Sequence, residues 1–264
     1  MKKFLAIILA VIMLFAVVAC AKGGDDDGQG NNEEEVKKEE IYNNESGDSF
    51  AYRVNADGSY EITGFTSGKS EPHKVEIPAE IDSVEVGGIA TDAFKVNNHI
   101  TEIVIPDSVL YIGDYAFFNC GYLTTVTMGK SVEKIGVGAF DSCYALTTVN
   151  FSEGLKTVSD FAFRFCDKVE AFKLPTSLEE IGRGSFWGCT ALKEIVIPGS
   201  VKTIGDCAFY ACAGLEKASG FEGVETFGKY IFNAGNENFV FAAKEGSKAA
   251  EYAAELEYNF EKLA

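Results

Sequence analysis

Imidazole is nearly missing from this 264-residue chain, which has two histidines, His73 and His99, far apart in sequence. That scarcity argues against a histidine-built metal centre and against a Ser-His-Asp constellation, since both need ring nitrogens aimed at one point. No G-x-S-x-G, P-loop or dinucleotide fingerprint occurs, so the usual scaffolds of acyl transfer, phosphate binding and hydride transfer are absent. Carboxylate pairs such as Glu179-Glu180 are common but occupy variable, surface-type positions, where charge serves solubility. The expectation is a non-enzyme without cofactor or metal. Basic excess is also lacking: 23 Lys and Arg face 40 Asp and Glu, for a net charge of −17 and a pI near 4.6. Such a surface excludes nucleic acid as the expected partner and disfavours lying flat on an anionic bilayer. Proline is scarce at five residues while 47% of the chain is hydrophobic, which rules out disorder for most of it.

The first 20 residues stand apart. Met1-Lys2-Lys3 is a basic start, and Phe4 to Ala19 is an unbroken apolar run of sixteen residues. As a helix it would span about 24 Å, short of the ~30 Å hydrocarbon core, so it reads as a cleaved signal and not as a permanent span. Its end, Val17-Val18-Ala19-Cys20, resembles the lipobox of bacterial lipoproteins, with Val where Leu is commonest three residues before the cysteine. The resemblance implies a diacylglyceryl thioether on Cys20, a membrane partner reached through that lipid, and a place on the bacterial cell surface or envelope. Residues 21–49 hold ten acids and three lysines, with Asp25-Asp26-Asp27 and Glu33-Glu34-Glu35, and almost nothing apolar. They read as an acidic flexible tether without the residue spacing of a calcium loop.

A repeat dominates the rest. Phe94, Phe117, Phe140, Phe163, Phe186, Phe209 and Phe232 are spaced 23 residues apart without a slip, and three positions on come Cys120, Cys143, Cys166, Cys189 and Cys212. Apolar series follow in the same register: Leu123, Leu146 and Leu192; Val126, Val149 and Ile195; Val132, Leu155 and Val201; Ile112, Ile135, Ile181 and Ile204, this last trailed by Gly113, Gly136, Gly182 and Gly205. Each unit reads as one coil: an extended segment, a turn often marked by Pro (Pro106, Pro175, Pro198), a second apolar touch, a glycine turn, and a helical or 3₁₀ turn ending at Phe and Cys. No coil can bury its apolar edge alone, so the coils must stack about 4.8 Å apart into a parallel sheet.

The stretch Ile105-Pro106-Asp107-Ser108-Val109-Leu110-Tyr111-Ile112-Gly113-Asp114-Tyr115-Ala116-Phe117 resembles the BspA-like branch of the leucine-rich repeats. That resemblance runs from about Lys74 to Phe232. It implies an α/β leucine-rich-repeat solenoid of six to seven coils, and for function it implies surface display and adhesion. Residues 50–73 are expected to form an N-terminal hairpin cap, 74–237 the solenoid, and 238–264 a C-terminal strand and helix cap in which Ser247 caps the helix. A five-residue excess before Ile89 is read as a bulged loop at Val84 to Gly88.

Seven cysteines in an exported chain would ordinarily mean disulfides, but five occupy one ladder position, so they are read as buried free thiols, with Cys207 off the ladder and partly exposed. For binding, the extended segments present a threonine-rich face. The position after the repeat phenylalanine is richer: Lys95, Phe118, Asp141, Arg164, Trp187 and Tyr210. Phe118, Arg164, Trp187 and Tyr210 are the candidate partner-binding stripe, because aromatic and arginine side chains dominate interface hot spots. The alternative is that these rings only cover the coil edge. Two functions follow: a binding or adhesion module for a protein or glycan, or a structural component of the cell's own envelope.

Overall fold

The computed structural model describes residues 38–232 and 238–263. Cys20, the leader, the tether up to residue 37 and the end of the solenoid segment at 233–237 lie outside them. Each 23-residue unit contributes two extended segments, not one. The first is the expected one: Ile100–Val104, Thr125–Thr127 and Thr148–Asn150 pair in parallel, Glu102 opposite Thr125 and Thr125 opposite Thr148. The second apolar touch is itself a strand. Tyr111–Ile112, Lys134–Ile135, Thr157–Val158, Glu180–Ile181, Thr203–Ile204 and Thr226–Phe227 stack in parallel within an eleven-stranded sheet. A fixed period makes this automatic, because residue i of one coil always meets residue i + 23 of the next.

The segment running to Phe and Cys is not the helical or 3₁₀ turn expected from sequence. It is a run of turns whose alternate N–H groups donate to the neighbouring coil, Phe117 to the Ala139 carbonyl at 2.7 Å, Phe140 to Ala162 at 2.8 Å and Phe163 to Ser185 at 2.7 Å, while those between close turns within the coil, such as Phe118 to Tyr115 at 3.0 Å. A left-handed residue reverses the chain in every coil, Tyr115 at φ +54°, Phe161 at +57° and Cys207 at +56°. These turns direct donors along the solenoid axis, where a helix would have consumed them internally. Among the described residues the one α-helix is α1 (Lys248–Glu255), in the C-terminal cap.

The core is a column of rings. Phe94, Phe117, Phe140, Phe163, Phe186, Phe209 and Phe232 stack with centroids 4.7–5.7 Å apart and planes within 12° of parallel, all at most 2% exposed. The widest gap, 5.7 Å, separates Phe163 from Phe186. There Phe172 replaces the valine or isoleucine of other coils and wedges against both, 5.5 and 4.7 Å away, with Phe151 close by. The first-segment sheet breaks at this level. Thr148–Asn150 ends one four-stranded sheet, Glu194–Ile197 begins another, and between them Ala171 makes a single bridge, to Glu194. Phe151 and Phe172, from successive coils, both press on Phe163, with centroids 5.6 and 5.5 Å from its own.

Both ends depart from expectation. The hairpin Ser49–Val54/Tyr60–Thr66 is present, but Glu40–Asn43 adds an antiparallel strand within the segment read as tether. Buried Glu61 ties this cap to the first coil by accepting from Arg53 Nε at 2.7 Å and from the Tyr111 hydroxyl at 2.9 Å. His73 Nε2 lies 3.0 Å from buried Asp48. Burial opposes ionisation of Asp48, but hydrogen bonds from His73 and Ser46 outweigh it and hold the carboxyl below its usual range. The five-residue excess is a hairpin and not a bulged loop: Glu80–Ile81 pairs with Val84–Ile89 across Asp82 and Ser83, both with positive φ as a two-residue hairpin turn requires. At the far end Val240–Lys244 meets Lys217–Gly220 at the 23-residue offset, so the period runs one coil further than the solenoid boundary read from sequence. Ser247 caps α1 as expected, its Oγ accepting the Ala250 N–H at 3.2 Å, and an unexpected parallel strand, Asn259–Leu263, closes the edge.

Candidate binding face

The turn segments place the position after each repeat phenylalanine along one edge of the solenoid. The four candidate residues all lie there. Trp187 and Tyr210 meet edge to face, their ring centroids 5.3 Å apart. Arg164 stands one coil before Trp187, its guanidinium 5.0 Å from the Phe161 ring centroid and 5.3 Å from that of Phe165. Asp141 does not belong to the exposed series. It is 1% exposed, lies beneath Arg164 and accepts from its Nη2 at 2.6 Å and its Nε at 3.1 Å. The Ser142 hydroxyl donates to its other oxygen at 3.0 Å. A buried carboxylate so satisfied fixes the guanidinium in one orientation. Phe118 sits two coils before Arg164, edge to face with Tyr115 at 5.9 Å, with Lys95 Nζ 5.6–5.7 Å from both ring centroids.

Three further residues complete the edge. Tyr115, Phe161 and Phe165 share positive φ, and each lays its ring over a glycine of the next coil. A Cβ on Gly138 would come 2.5 Å from the Tyr115 ring, on Gly184 2.6 Å from Phe161, and on Gly188 2.5 Å from Phe165. Arg183 adds a second guanidinium 5.1 Å from the Phe161 ring centroid. The signal was available in the sequence. Tyr115, Gly138, Phe161 and Gly184 occupy one repeat position, aromatic and glycine by turns over four coils, before Cys207 breaks the alternation.

The cysteine ladder is chemically quiet. Cys120, Cys143, Cys166, Cys189 and Cys212 are free and buried, and each Sγ–H donates to the carbonyl of the phenylalanine 26 residues earlier at 3.1–3.3 Å. The thiol adds a second donor to a carbonyl that already accepts the backbone N–H three residues on, such as Cys120 N–H to Phe117 at 3.3 Å, so the position suits a small residue with a donor. Burial pushes the Cys120 and Cys212 thiols up to about 12 and the three between them well above the ordinary value. Cys207 is free and half-buried, its thiol raised by burial first and by Asp206 second. No group of three or more His, Cys, Asp or Glu among the described residues is placed to hold a metal ion. No helix among them is long and apolar enough to cross a membrane.

Concavities lie on another face. One, of about 390 Å³, opens where the first-segment sheet splits, lined by Thr148, Asn150, Lys168, Glu170 and Lys173. Another, of about 450 Å³, lies beside Lys193, Gly214, Glu216 and Asn238.

Residues 87–216 match the family of BspA type leucine-rich-repeat regions in 6 copies. Among solved structures, a leucine-rich-repeat protein of T. pallidum is similar at 27% identity and a TM-score of 0.68, over 81% of this chain and 96% of that one. A leucine-rich cell surface protein of Faecalibacterium prausnitzii is similar at 26% identity and a TM-score of 0.63, over 76% of this chain and 54% of that one, so the chain spans about half of it. A leucine-rich-repeat protein of Bacteroides ovatus is similar at 25% identity and a TM-score of 0.50, over 80% of this chain and 65% of that one. No curated protein matches.

Proposed function

The repeats of this chain belong to the BspA-type leucine-rich repeats, and from that premise we propose that it is a binding module displayed on the bacterial cell surface, its aromatic edge being the contact site. One observation carries the reading. Phe161, Arg164, Phe165, Trp187 and Tyr210 converge on one edge, held by left-handed turns, by glycines beneath two of the rings and by a buried carboxylate beneath the arginine. Side chains fixed in this way lose little rotamer freedom when a partner covers them, and Trp, Tyr and Arg are the residues that dominate measured hot spots. Display fits the similarity to a cell surface protein of F. prausnitzii.

The test is a pull-down with the full-length protein against host matrix, mucin and cell-envelope extracts. Trp187→Ala with Tyr210→Ala should weaken capture of a specific partner about thirtyfold, the equivalent of about 2 kcal/mol, with melting unchanged. If the double variant captures every partner as the parent does, the edge is only cover for the core. Anchoring is the second part of the proposal. The order of basic start, apolar run and Val-Val-Ala-Cys supports a lipid on Cys20 that holds the chain at a membrane. Cys20→Ala, or globomycin, should leave the leader uncleaved. Normal processing in both experiments would refute the anchor.

A further inference from the structure

We propose that the aromatic edge docks an extended, proline-rich segment of a partner protein, lying in polyproline II conformation along the solenoid axis. This rests on the binding-module reading and adds the chemistry of the partner. Spacing is the first argument. Tyr115 and Phe161 stand 46 residues apart with a glycine coil between them, Phe118, Arg164 and Tyr210 recur at the same interval, and Trp187 stands on the coil between the last two while Cys207 ends the first series. Two coils measure about 10 Å on the phenylalanine column. A polyproline II helix advances about 9.3 Å in three residues. Every third residue of such a segment therefore meets a coil that carries an outward ring, Tyr115 and Phe118, then Phe161 and Phe165, then Tyr210, and from Phe117 to Phe209 the column measures about 21 Å against about 19 Å for two turns.

Hydrogen bonding is the second argument. Polyproline II has no internal hydrogen bonds, so its carbonyls need outside donors. The Tyr115 and Tyr210 hydroxyls and the Trp187 indole N–H make no hydrogen bond among the described residues, and Tyr115 and Tyr210 are exposed. Flat rings with a polar tip suit a ligand that offers pyrrolidine faces and bare carbonyls in alternation.

Charge and area exclude the other occupants. Lys95 is paired with Asp92 at 2.8 Å and Arg164 with Asp141 at 2.6 Å, which leaves Arg183 as the one of the three edge cations with no ion pair among the described residues, a single charge with little pull on a polyanion. From Phe118 to Tyr210 the strip covers four coil spacings, about 20 Å, and is one or two side chains wide. That amounts to a few hundred Å², well under the roughly 800 Å² per partner of a stable contact between folded proteins or between two copies. Some six or seven residues of polyproline II cover 20 Å.

Trp187 is the sole tryptophan of the chain, so its emission reports the strip directly. Full-length protein is titrated with decaproline, with a Gly-Ser decapeptide, decaglutamate and sialyllactose as competitors for the assignment. A saturable emission change with decaproline alone, weakened at least tenfold in Tyr210→Ala and in Tyr115→Ala while both variants melt like the parent, carries the proposal. No saturation with decaproline, an equal response to any other probe, or an unchanged response in both variants overturns it. Tyr210→Phe separates the hydroxyl from the ring: it should lose part of the response, and if Tyr210→Ala misfolds, this variant decides in its place. A partner caught in the pull-down without any decaproline response sinks this inference and leaves the binding-module reading standing.

Discussion

Phe163→Ala should destabilise the protein by about 3–5 kcal/mol, seen as a fall of about 6–20 °C in melting temperature. Phe163 is fully buried and sits where the ring column is most crowded, 5.2 Å from Phe140, 5.7 Å from Phe186, 5.6 Å from Phe151 and 5.5 Å from Phe172. Truncation removes the transfer free energy of a benzyl group and leaves a void between coils that cannot close independently, because the eleven-stranded sheet fixes their spacing. Such a loss approaches the whole stability of an ordinary domain. Each coil touches only its neighbours, so the damage should also decouple the two halves of the solenoid and broaden the transition. Differential scanning calorimetry checks both effects. A melting temperature within two degrees of the parent would mean that the ring column is not the main support of the core.

The column was legible because burial recurs at one interval and each member is irreplaceable for the same reason. Other features depend on directions that a one-dimensional pattern does not carry. The cysteines were readable as packing units, but the bond from each thiol to a phenylalanine carbonyl depends on where that carbonyl points. Phe172 is visible as an odd member of a mostly Val and Ile series, yet its contact with Phe151 of the coil before, 6.2 Å between centroids, follows only from the stacking. The helical turn was misread because local sequence signals for a short helix and for a left-handed turn overlap, and what decides between them is the hydrogen bonding of one coil to the next. Glu40–Asn43 was hidden by the acidic run before it, because only Ile41 and Tyr42 mark it, opposite Ala51 and Phe50. Of the candidate edge, the aromatic and arginine positions were readable, whereas buried Asp141, the Arg183 stacking and the glycines under the rings follow from three-dimensional proximity.

The glycine that follows each second-strand isoleucine has a cause other than the tight turn expected from sequence, and this leads to the second large effect. Gly113, Gly136, Gly182 and Gly205 are not in the positive-φ region, so an alanine could adopt their backbone without strain. The obstacle is the coil before. A Cβ on Gly205 would lie 2.5 Å from the Arg183 nitrogen, and one on Gly113 2.5 Å from the Ala90 carbonyl carbon, both backbone atoms that cannot swing aside. One coil shows the consequence, because it carries Ser159 at this position. There the N–H reaches the Ile135 carbonyl at 3.0 Å, whereas the equivalent bonds of Gly113, Gly136, Gly182, Gly205 and Gly228 are all 2.8 Å. The Cβ of Ser159 is thus accommodated by a local shift at this bond, while neighbouring bonds between the same coils, such as Phe140 N–H to Ala162 at 2.8 Å, keep their usual length. Gly205→Ala should therefore cost about 1–3 kcal/mol by overpacking. Ser159→Gly should change stability by less than about 1 kcal/mol, since relief of crowding and the added entropy of the unfolded glycine oppose each other. Urea denaturation of the two variants beside the parent gives the comparison. Equal effects, or a Gly205→Ala variant as stable as the parent, would show that the glycine ladder is not set by the close approach of one coil's backbone to the next.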